Sequence, residues 1–138
     1  MSPGAEPQRL AAIVSIDIVG YSSLSERNAA EAVARVARLR ERATAVAAKH
    51  QGRIFNTAGD GVMLEFPTAT AGLSAAMMLS ADVQDMQLRF GVHLGEVSIA
   101  DNGDLLGHGV NVAARLESEA TPGAILASQI VRDSAAAA

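Results

Sequence analysis

The chain has 138 residues, enough for one domain with a sizeable core and too few for two. It is 49% hydrophobic but only 3% aromatic, it carries a net charge of −4, and it contains no cysteine. This composition excludes disulfides, thiolate zinc sites and cysteine nucleophiles, and the negative charge argues against nucleic acid as a partner. No apolar run reaches the ~18 residues of a membrane span and no signal-peptide pattern opens the chain, so we expect a cytoplasmic segment without membrane contact.

The chain is predicted to begin with a flexible lead-in and a buried strand. Residues 1–9 contain two of the four prolines and form the lead-in. Residues 10–18 are an almost unbroken apolar run, which is typical of a central strand. The one carboxylate of this run, Asp17, lies near its end, so we expect the side chain at the edge of the sheet.

A long helix is predicted after a short connection. Residues 21–27 are expected to be a polar connection. Asn28, with Glu31 three residues later, then predicts a helix start, and the helix is expected to reach Lys49. Residues at helical spacing form its predicted apolar stripe, which consists of Ala29, Val33, Val36, Leu39, Ala43 and Val46.

Residues 53–66 predict a β-hairpin with an acid at its tip. Two apolar runs flank the sequence Ala-Gly-Asp-Gly, and Gly59 and Gly61 permit the positive φ angles of a tight turn. Asp60 is therefore presented at the bend. Asp60 and Asp17 could meet at neighbouring strand ends and share a metal ion, although acids in such places are also common as ordinary turn residues.

The second half of the chain is predicted to alternate helices and strands. The predicted elements are a helix from Thr68 to Leu79 with Met77 and Met78 in the core, strands over 87–94 and 97–100, a helix over 108–118 with Val112 and Leu116 inward, a strand over 124–127, and a helical stretch capped by Ser128. The order β-α-β-β-α-β predicts an α+β, ferredoxin-like sheet with helices on one face. We expect residues 10–134 to form this domain and residues 135–138 to be an alanine tail.

Several kinds of site are excluded by the residues present. The only lysine, Lys49, lies outside any phosphate-binding loop motif, and no dinucleotide-binding glycine pattern occurs. The three histidines lack the spacing of a zinc site. Carboxylate chemistry remains, together with Asn111 and Arg115, which at i,i+4 on one helix could hold an anion. Hard divalent metals suit Asp17 and Asp60 with a nucleotide.

Four segments, in order, resemble the motifs of the class III adenylate/guanylate cyclase catalytic domain. They are residues 12–22 (AIVSIDIVGYS), 52–66, 91–97 (GVHLGEV) and 107–117 (GHGVNVAARLE). The resemblance implies a ferredoxin-like core in a head-to-tail homodimer with active sites at the subunit interface. It implies conversion of ATP or GTP to a 3′,5′-cyclic monophosphate and pyrophosphate, by two-metal in-line attack of the ribose 3′-hydroxyl on the α-phosphate.

The resemblance also assigns metal and sugar contacts to the first two segments. Asp17 and Asp60 match the two aspartates that bind Mg²⁺ or Mn²⁺, two ions per active site, and Ile18 would add its backbone carbonyl. Gly20 and Tyr21 would contribute to substrate binding, with Tyr21 near the nucleotide sugar.

The remaining roles concern catalysis and choice of base. Asn111 matches the asparagine that orients the ribose, and Arg115 matches the arginine that neutralises charge on the α-phosphate. The two base-reading positions carry Asn56, where the family usually has lysine, and Asp104. Guanylate cyclases tend to have Glu and Cys there, so we expect ATP in preference to GTP. An arginine of some members is Glu96 here, which removes one phosphate contact.

Other readings stay open beside an active adenylate cyclase. One is guanylate cyclase activity, and another is a degenerate cyclase-like module that binds nucleotide and regulates without turnover. A phospho-acceptor domain would need a well-placed lysine, and Lys49 is badly placed for that role. Because the family domain usually continues into a closing hairpin, we expect this chain to be a trimmed domain or part of a longer protein controlled by a further regulatory domain.

Overall fold

The computed structural model describes residues 7–57 and 59–136. Within them, one sheet is formed by the strands β1 (Gln8–Ile18), β2 (Arg53–Asn56), β3 (Val62–Phe66), β4 (Leu88–Ile99), β5 (Leu105–Leu106) and β6 (Ile125–Ala127). The helices are α1 (Tyr21–Arg27), α2 (Ala29–Lys49), α3 (Ala69–Asp82), α4 (His108–Glu119) and α5 (Gln129–Ala136).

The strand order of the sheet confirms the predicted fold class. The strands lie in the order β2-β3-β1-β4-β5, and β6 pairs with β4 in parallel. The first four are antiparallel neighbours, with α2 connecting β1 to β2 and α3 connecting β3 to β4. This arrangement is the β-α-β-β-α-β, ferredoxin-like core expected from the sequence.

The alternation of side chains along β1 assigns the helices to the two faces of the sheet. Ala12, Val14 and Ile16 belong to the main core together with buried residues of α2 and α3. Ala11 and Ile13 point the other way and pack in a second cluster with Ala113 of α4. The two helices of the ferredoxin-like core therefore share one face, as predicted, and α4 covers part of the opposite face.

Residues 21–27 form helix α1, so the prediction of a polar connection is wrong. Gly20, with φ 74°, precedes the helix in a left-handed conformation, and Leu24 is buried. Leu24 and the half-buried Tyr21 are the inward residues of this helix of about two turns, and that signal is too short to detect as a periodic pattern.

Helix α2 starts where the sequence predicts, but its buried stripe begins elsewhere. The side chain of Asn28 accepts a hydrogen bond from the backbone N–H of Glu31 at 3.1 Å, which confirms the predicted cap. Val33 is 65% exposed and Ala29 is also exposed, whereas Ala32 is buried. The core-facing line runs through Ala32 at the usual spacing of three and four residues, because the direction of the helix over the sheet decides which of two adjacent apolar lines is covered.

Three expectations for the second half need correction. Strand β4 runs without a break from Leu88 to Ile99, and its end forms the predicted hairpin with β5. Met77 and Met78 are 59% and 40% exposed, because Ala75, Ala76 and Leu79 occupy the core face of α3. Val112 and Leu116 are only half-buried, since the close contacts of α4 are made by its small residues Gly109 and Ala113.

The two ends of the chain also differ in part from the prediction. β1 begins at Gln8, inside the expected lead-in, and α5 includes Ala135 and Ala136 of the expected tail. Residues 1–6 of the expected lead-in and 137–138 of the expected tail lie outside the described residues. In the described part of the chain, no helix combines the length and the apolar character needed to cross a membrane.

Candidate active site

The fold brings Asp17 and Asp60 to one cavity of about 270 Å³, which Asn56 also lines. β1 and β3 are antiparallel neighbours with Ile16 opposite Val62, so the end of β1 lies beside the turn that leads into β3. A side chain on Gly61 would overlap the carbonyl oxygen of Ile16. Glycine is therefore required for the turn carrying Asp60 to come this close to Asp17.

Asp17 is already engaged by a cation of its own chain. Arg89 lies directly opposite it on β4, and the guanidinium Nε and Nη2 atoms each lie 3.3 Å from one carboxylate oxygen of Asp17. The two side chains are 30% and 20% exposed, so this pair is only partly screened by water. The Asp17 carboxylate is thus held at the edge of the cavity.

A third carboxyl group, Glu117 of α4, belongs to the same cavity. The hydroxyl of Ser15 donates to Glu117 Oε1 at 3.4 Å. Burial raises the pKa of Glu117 from its ordinary value of 4.5 to about 7, and the neighbouring negative charge of Asp17 adds to the shift, while Arg89 and the Ser15 hydroxyl oppose it. Near neutral pH the site therefore exchanges a proton at Glu117.

Three other predicted residues lie within four positions after Asp17 in the chain. The side chain of Ile18 is buried in the main core at the end of β1. Gly20 adopts its left-handed conformation, and Tyr21, the first residue of α1, packs against the core. None of these three is among the residues that line the cavity.

The remaining predicted residues lie outside the cavity of their own chain. Asp104 precedes β5, and its carboxylate accepts a hydrogen bond from the backbone N–H of Leu105 at 2.8 Å. Asn111 and Arg115 are exposed on α4. Within residues 7–57 and 59–136, Arg115 has no ion-pair partner. One chain thus unites Asp17, Asn56 and Asp60 and carries the Arg115 guanidinium elsewhere, exposed on the surface of α4.

Sequence reasoning missed three polar residues around Asp17, and two of them, Ser15 and Arg89, had a signal in the sequence. Ser15 lies two residues before Asp17 and so shares its face of β1. Arg89 is a charged residue between two apolar residues of β4, Leu88 and Phe90. Glu117 lies two residues after Arg115, but the close approach of α4 to β4 at Gly91, where a side chain would overlap the Ala113 carbonyl oxygen, is visible only in three dimensions.

The chemistry of the cavity fits a hard divalent cation. Mg²⁺ and Mn²⁺ prefer oxygen ligands, and Mg²⁺ commonly takes one or two carboxylates and completes its shell with water and phosphate. Asp17 and Asp60 supply two carboxylates. The described residues contain no group of three or more His, Cys, Asp or Glu side chains arranged to hold a metal ion, so the other ligands would come from backbone, water or substrate.

Comparison with known proteins agrees with this geometry. Residues 5–136 match the sequence model of the adenylate and guanylate cyclase catalytic domain. The chain is 39% identical over 137 residues to putative adenylate cyclase 3 of Rhizobium meliloti (strain 1021), covering 91% of this chain and 23% of that protein. It is 35% identical over 133 residues to an adenylate cyclase of Glutamicibacter nicotianae, covering 92% of this chain and 33% of that protein.

A solved structure gives the same result at the level of the fold. The crystal structure of an adenylate/guanylate cyclase/hydrolase from Silicibacter pomeroyi superposes with a TM-score of 0.83 at 37% identity, covering 92% of this chain and 80% of that one. The chain spans only 23% and 33% of the lengths of the two relatives named above. Its strand order, its paired aspartates and these matches together show that the chain belongs to the adenylate and guanylate cyclase catalytic-domain family.

Proposed function

We propose that the protein converts ATP to 3′,5′-cyclic AMP and pyrophosphate at sites shared between two copies of the chain. The observation that carries this proposal is the cavity in which Asp17 and Asp60 meet at neighbouring strand ends. The adenylate cyclase names of both relatives support ATP as the substrate. In the reaction the ribose O3′ forms a bond to the α-phosphorus while the bond from that phosphorus to the β-phosphate oxygen breaks, and pyrophosphate leaves.

Asp17 and Asp60, with the backbone carbonyl of Ile18, would hold two Mg²⁺ or Mn²⁺ ions. When bound, such ions lower the pKa of the 3′-hydroxyl and neutralise charge on the phosphates. Asp17 reaches this role only by giving up or sharing its contact with Arg89, which lies 3.3 Å from the carboxylate. Metal affinity and the Arg89 pair are therefore in competition.

Arg115 and Asn111 would act on the substrate from the partner subunit. Arg115 is exposed and has no ion-pair partner among the described residues, so its guanidinium is available for a phosphoryl group. A fixed donor placed where charge develops on the α-phosphate stabilises the transition state, and removing one typically costs roughly 3 to 4 kcal/mol. Asn111, one turn earlier on α4, would orient the ribose.

Asp104 and Asn56 would read the base. The Asp104 carboxylate accepts hydrogen bonds only, so it would favour the amino group of adenine over the carbonyl of guanine. Asn56 lines the cavity beside the aspartates of its own chain. Its amide can donate to a ring nitrogen or accept from guanine, which makes it the weaker determinant of the two.

A second candidate is a regulatory module that binds nucleotide without turnover. One observation in its favour is that Asp17, a proposed metal ligand, is already ion-paired with Arg89. Glu96, which stands in place of a phosphate-contacting arginine, also favours this candidate. ATP, or GTP, would then be a ligand and not a substrate.

Incubation of the purified protein with ATP or GTP and Mn²⁺, followed by chromatography, tests both candidates. We expect cyclic AMP from ATP, less cyclic GMP from GTP, and neither from Asp60→Asn protein. Binding of ATP in equilibrium dialysis without cyclic product would favour the regulatory module. Absence of both binding and product would refute both candidates.

A further inference from the structure

The turn that carries Asp60 lies between β2 and β3, and its described residues are Thr57 and residues 59–61. The pairing of β2 with β3 has a register irregularity between Ile54 and Asn56, and Gly59 in the turn has a φ of 68°. Among the described residues, no backbone-to-backbone hydrogen bond outside the strands involves Thr57 or residues 59–61. A turn of this kind needs support from elsewhere if its carboxylate is to keep one position.

That support comes from a side chain of α2. Arg40 Nη2 donates to the carbonyl oxygen of Thr57 at 2.5 Å and to that of Gly59 at 3.1 Å. The Gly59 carbonyl belongs to the residue immediately before Asp60, and the Thr57 carbonyl follows the end of β2. The Nε atom of Arg40 is enclosed and has no hydrogen-bond partner within residues 7–57 and 59–136.

Helix α2, which carries Arg40, is held in place by its buried neighbours. Leu39 and Ala43, on either side of Arg40 in the sequence of α2, are both 0% exposed in the main core. The guanidinium is planar and permanently charged, so it can hold two carbonyl oxygens in a fixed relation. Hydrogen bonds donated by a charged group stabilise more than those between neutral groups.

We propose that Arg40 is a positioning residue, which holds the β2–β3 turn so that the Asp60 carboxylate faces the cavity shared with Asp17. The proposal rests on the proposed function in one respect, that Asp60 binds metal. It concerns the shape of the turn and not the chemistry itself. Arg40 acts through Asp60 and would touch neither metal nor nucleotide.

The matched variants are Arg40→Gln, Arg40→Lys and the control Arg42→Gln. Arg42 lies two residues further along α2 and makes an exposed ion pair with Asp82 at 3.5 Å. Three readouts apply to each protein: amide hydrogen exchange of Thr57 and residues 59–61, Mn²⁺ binding followed by electron paramagnetic resonance without nucleotide, and cyclase rate against Mn²⁺ concentration.

Loss of Arg40 should loosen the turn and weaken metal binding together. For Arg40→Gln we expect faster exchange of the turn amides and a Mn²⁺ dissociation constant raised roughly tenfold to a hundredfold, with kcat largely recovered at saturating Mn²⁺. Arg40→Lys keeps the charge and should restore part of both effects. Arg42→Gln should match the wild type in all three readouts.

Two results would overturn the proposal. Unchanged exchange of the turn amides in Arg40→Gln would mean that Arg40 does not hold the turn, and faster exchange with unchanged Mn²⁺ binding would mean that the turn does not position Asp60. If Arg40→Gln fails to fold, Arg40→Lys decides: its turn amides should still exchange faster than those of the wild type and its Mn²⁺ binding should still be weaker, and wild-type values in both would overturn the proposal. Wild-type protein that binds Mn²⁺ but forms no cyclic product would refute the proposed function and leave the role of Arg40 standing.

Discussion

Asp17 lies close to an arginine, a second carboxyl group and a hydroxyl group, which belong to Arg89, Glu117 and Ser15. The charged groups among them determine how the site responds to pH. Arg89 contacts Asp17 directly, while Glu117 is bonded to Ser15. One arginine can balance the negative charge of only one of the two carboxylates. Glu117 is the group that takes up a proton, because its burial and the negative charge of Asp17 beside it both raise its pKa.

The raised pKa of Glu117 predicts that the metal-free protein loses stability as pH rises. The unfolded chain releases this proton near the ordinary pKa of 4.5, and the folded chain keeps it to about 7. The folded state thus binds more protons between these values, so the free energy of unfolding falls across that range and levels off above it. Glu117→Gln should abolish this contribution, and its Tm relative to the wild type should rise from about pH 4.5 to about 7.

Thermal unfolding in the presence of a chelator, at several pH values, measures this effect. Glu119→Gln, an exposed position on the same helix, is the control for loss of one carboxylate. A constant difference in Tm between Glu117→Gln and wild type over the whole range would contradict the prediction.

Base selection is a second question at the scale of single residues. Asp104→Ala should reduce kcat/KM for ATP more than for GTP, since only adenine offers an amino group to this carboxylate. The variant also loses the hydrogen bond to the Leu105 N–H, which affects both nucleotides alike. Asp104→Asn keeps an acceptor for that N–H and is the control. Equal losses with both nucleotides would remove Asp104 from base reading.

At the scale of elements, the site depends on two backbone approaches that only glycine permits. The start of β3 crosses close to β1 at Gly61, and α4 lies against β4 at Gly91. The first approach places Asp60 beside Asp17, and the second places Glu117 there. Strand pairing and helix packing, more than the polar residues themselves, therefore assemble the cavity.

Substitution of the two turn glycines should separate crowding from backbone conformation. Gly59→Ala meets no atom within 4 Å but has a φ of 68°, so we expect a loss of ~1 to 2 kcal/mol in unfolding free energy. Gly61→Ala meets the Ile16 backbone, which is harder to displace, and should cost more and also weaken Mn²⁺ binding. Urea unfolding of both variants provides the measurement. A smaller loss of unfolding free energy for Gly61→Ala than for Gly59→Ala would show that the turn moves away from the Ile16 backbone easily, and would contradict the prediction.

At the scale of the whole molecule, the proposed catalytic groups are divided between two surfaces of one chain. Asp17 and Asp60 line the cavity, whereas Asn111 and Arg115 are exposed on α4 and do not line it. A symmetric pair of chains that brings α4 of one against the cavity of the other would complete two sites.

Mixing two inactive variants tests this division. Asp17→Ala and Arg115→Ala proteins should each be nearly inactive alone. In a mixed dimer one site combines both defects and the other is intact, and random pairing makes half of the dimers mixed, so about a quarter of wild-type activity should return. Mixing Asp17→Ala with Asp17→Ala/Arg115→Ala protein is the control and should restore nothing. If the first mixture also restores nothing while the subunits exchange, the catalytic groups lie within one chain.

Local patterns were sufficient to predict most elements of this protein and the position of its metal-binding candidates. The cap at Asn28, the hairpin around Asp60 and the apolar run before Asp17 each follow from a few neighbouring residues. The order of these elements allows few sheet topologies, because sequential elements pack as neighbours and crossovers have one hand. The ferredoxin-like core therefore followed from the sequence.

Packing decided the rest, because it depends on residues that are distant in the chain. The choice between Ala32 and Val33 as the inward residue of α2, and the exposure of Met77, depend on where each helix lies over the sheet. The Arg89 pair with Asp17 and the hold of Arg40 on the Asp60 turn join residues from separate elements. No pattern in one segment encodes such contacts, since each requires two elements to be placed against each other before the side chains can meet.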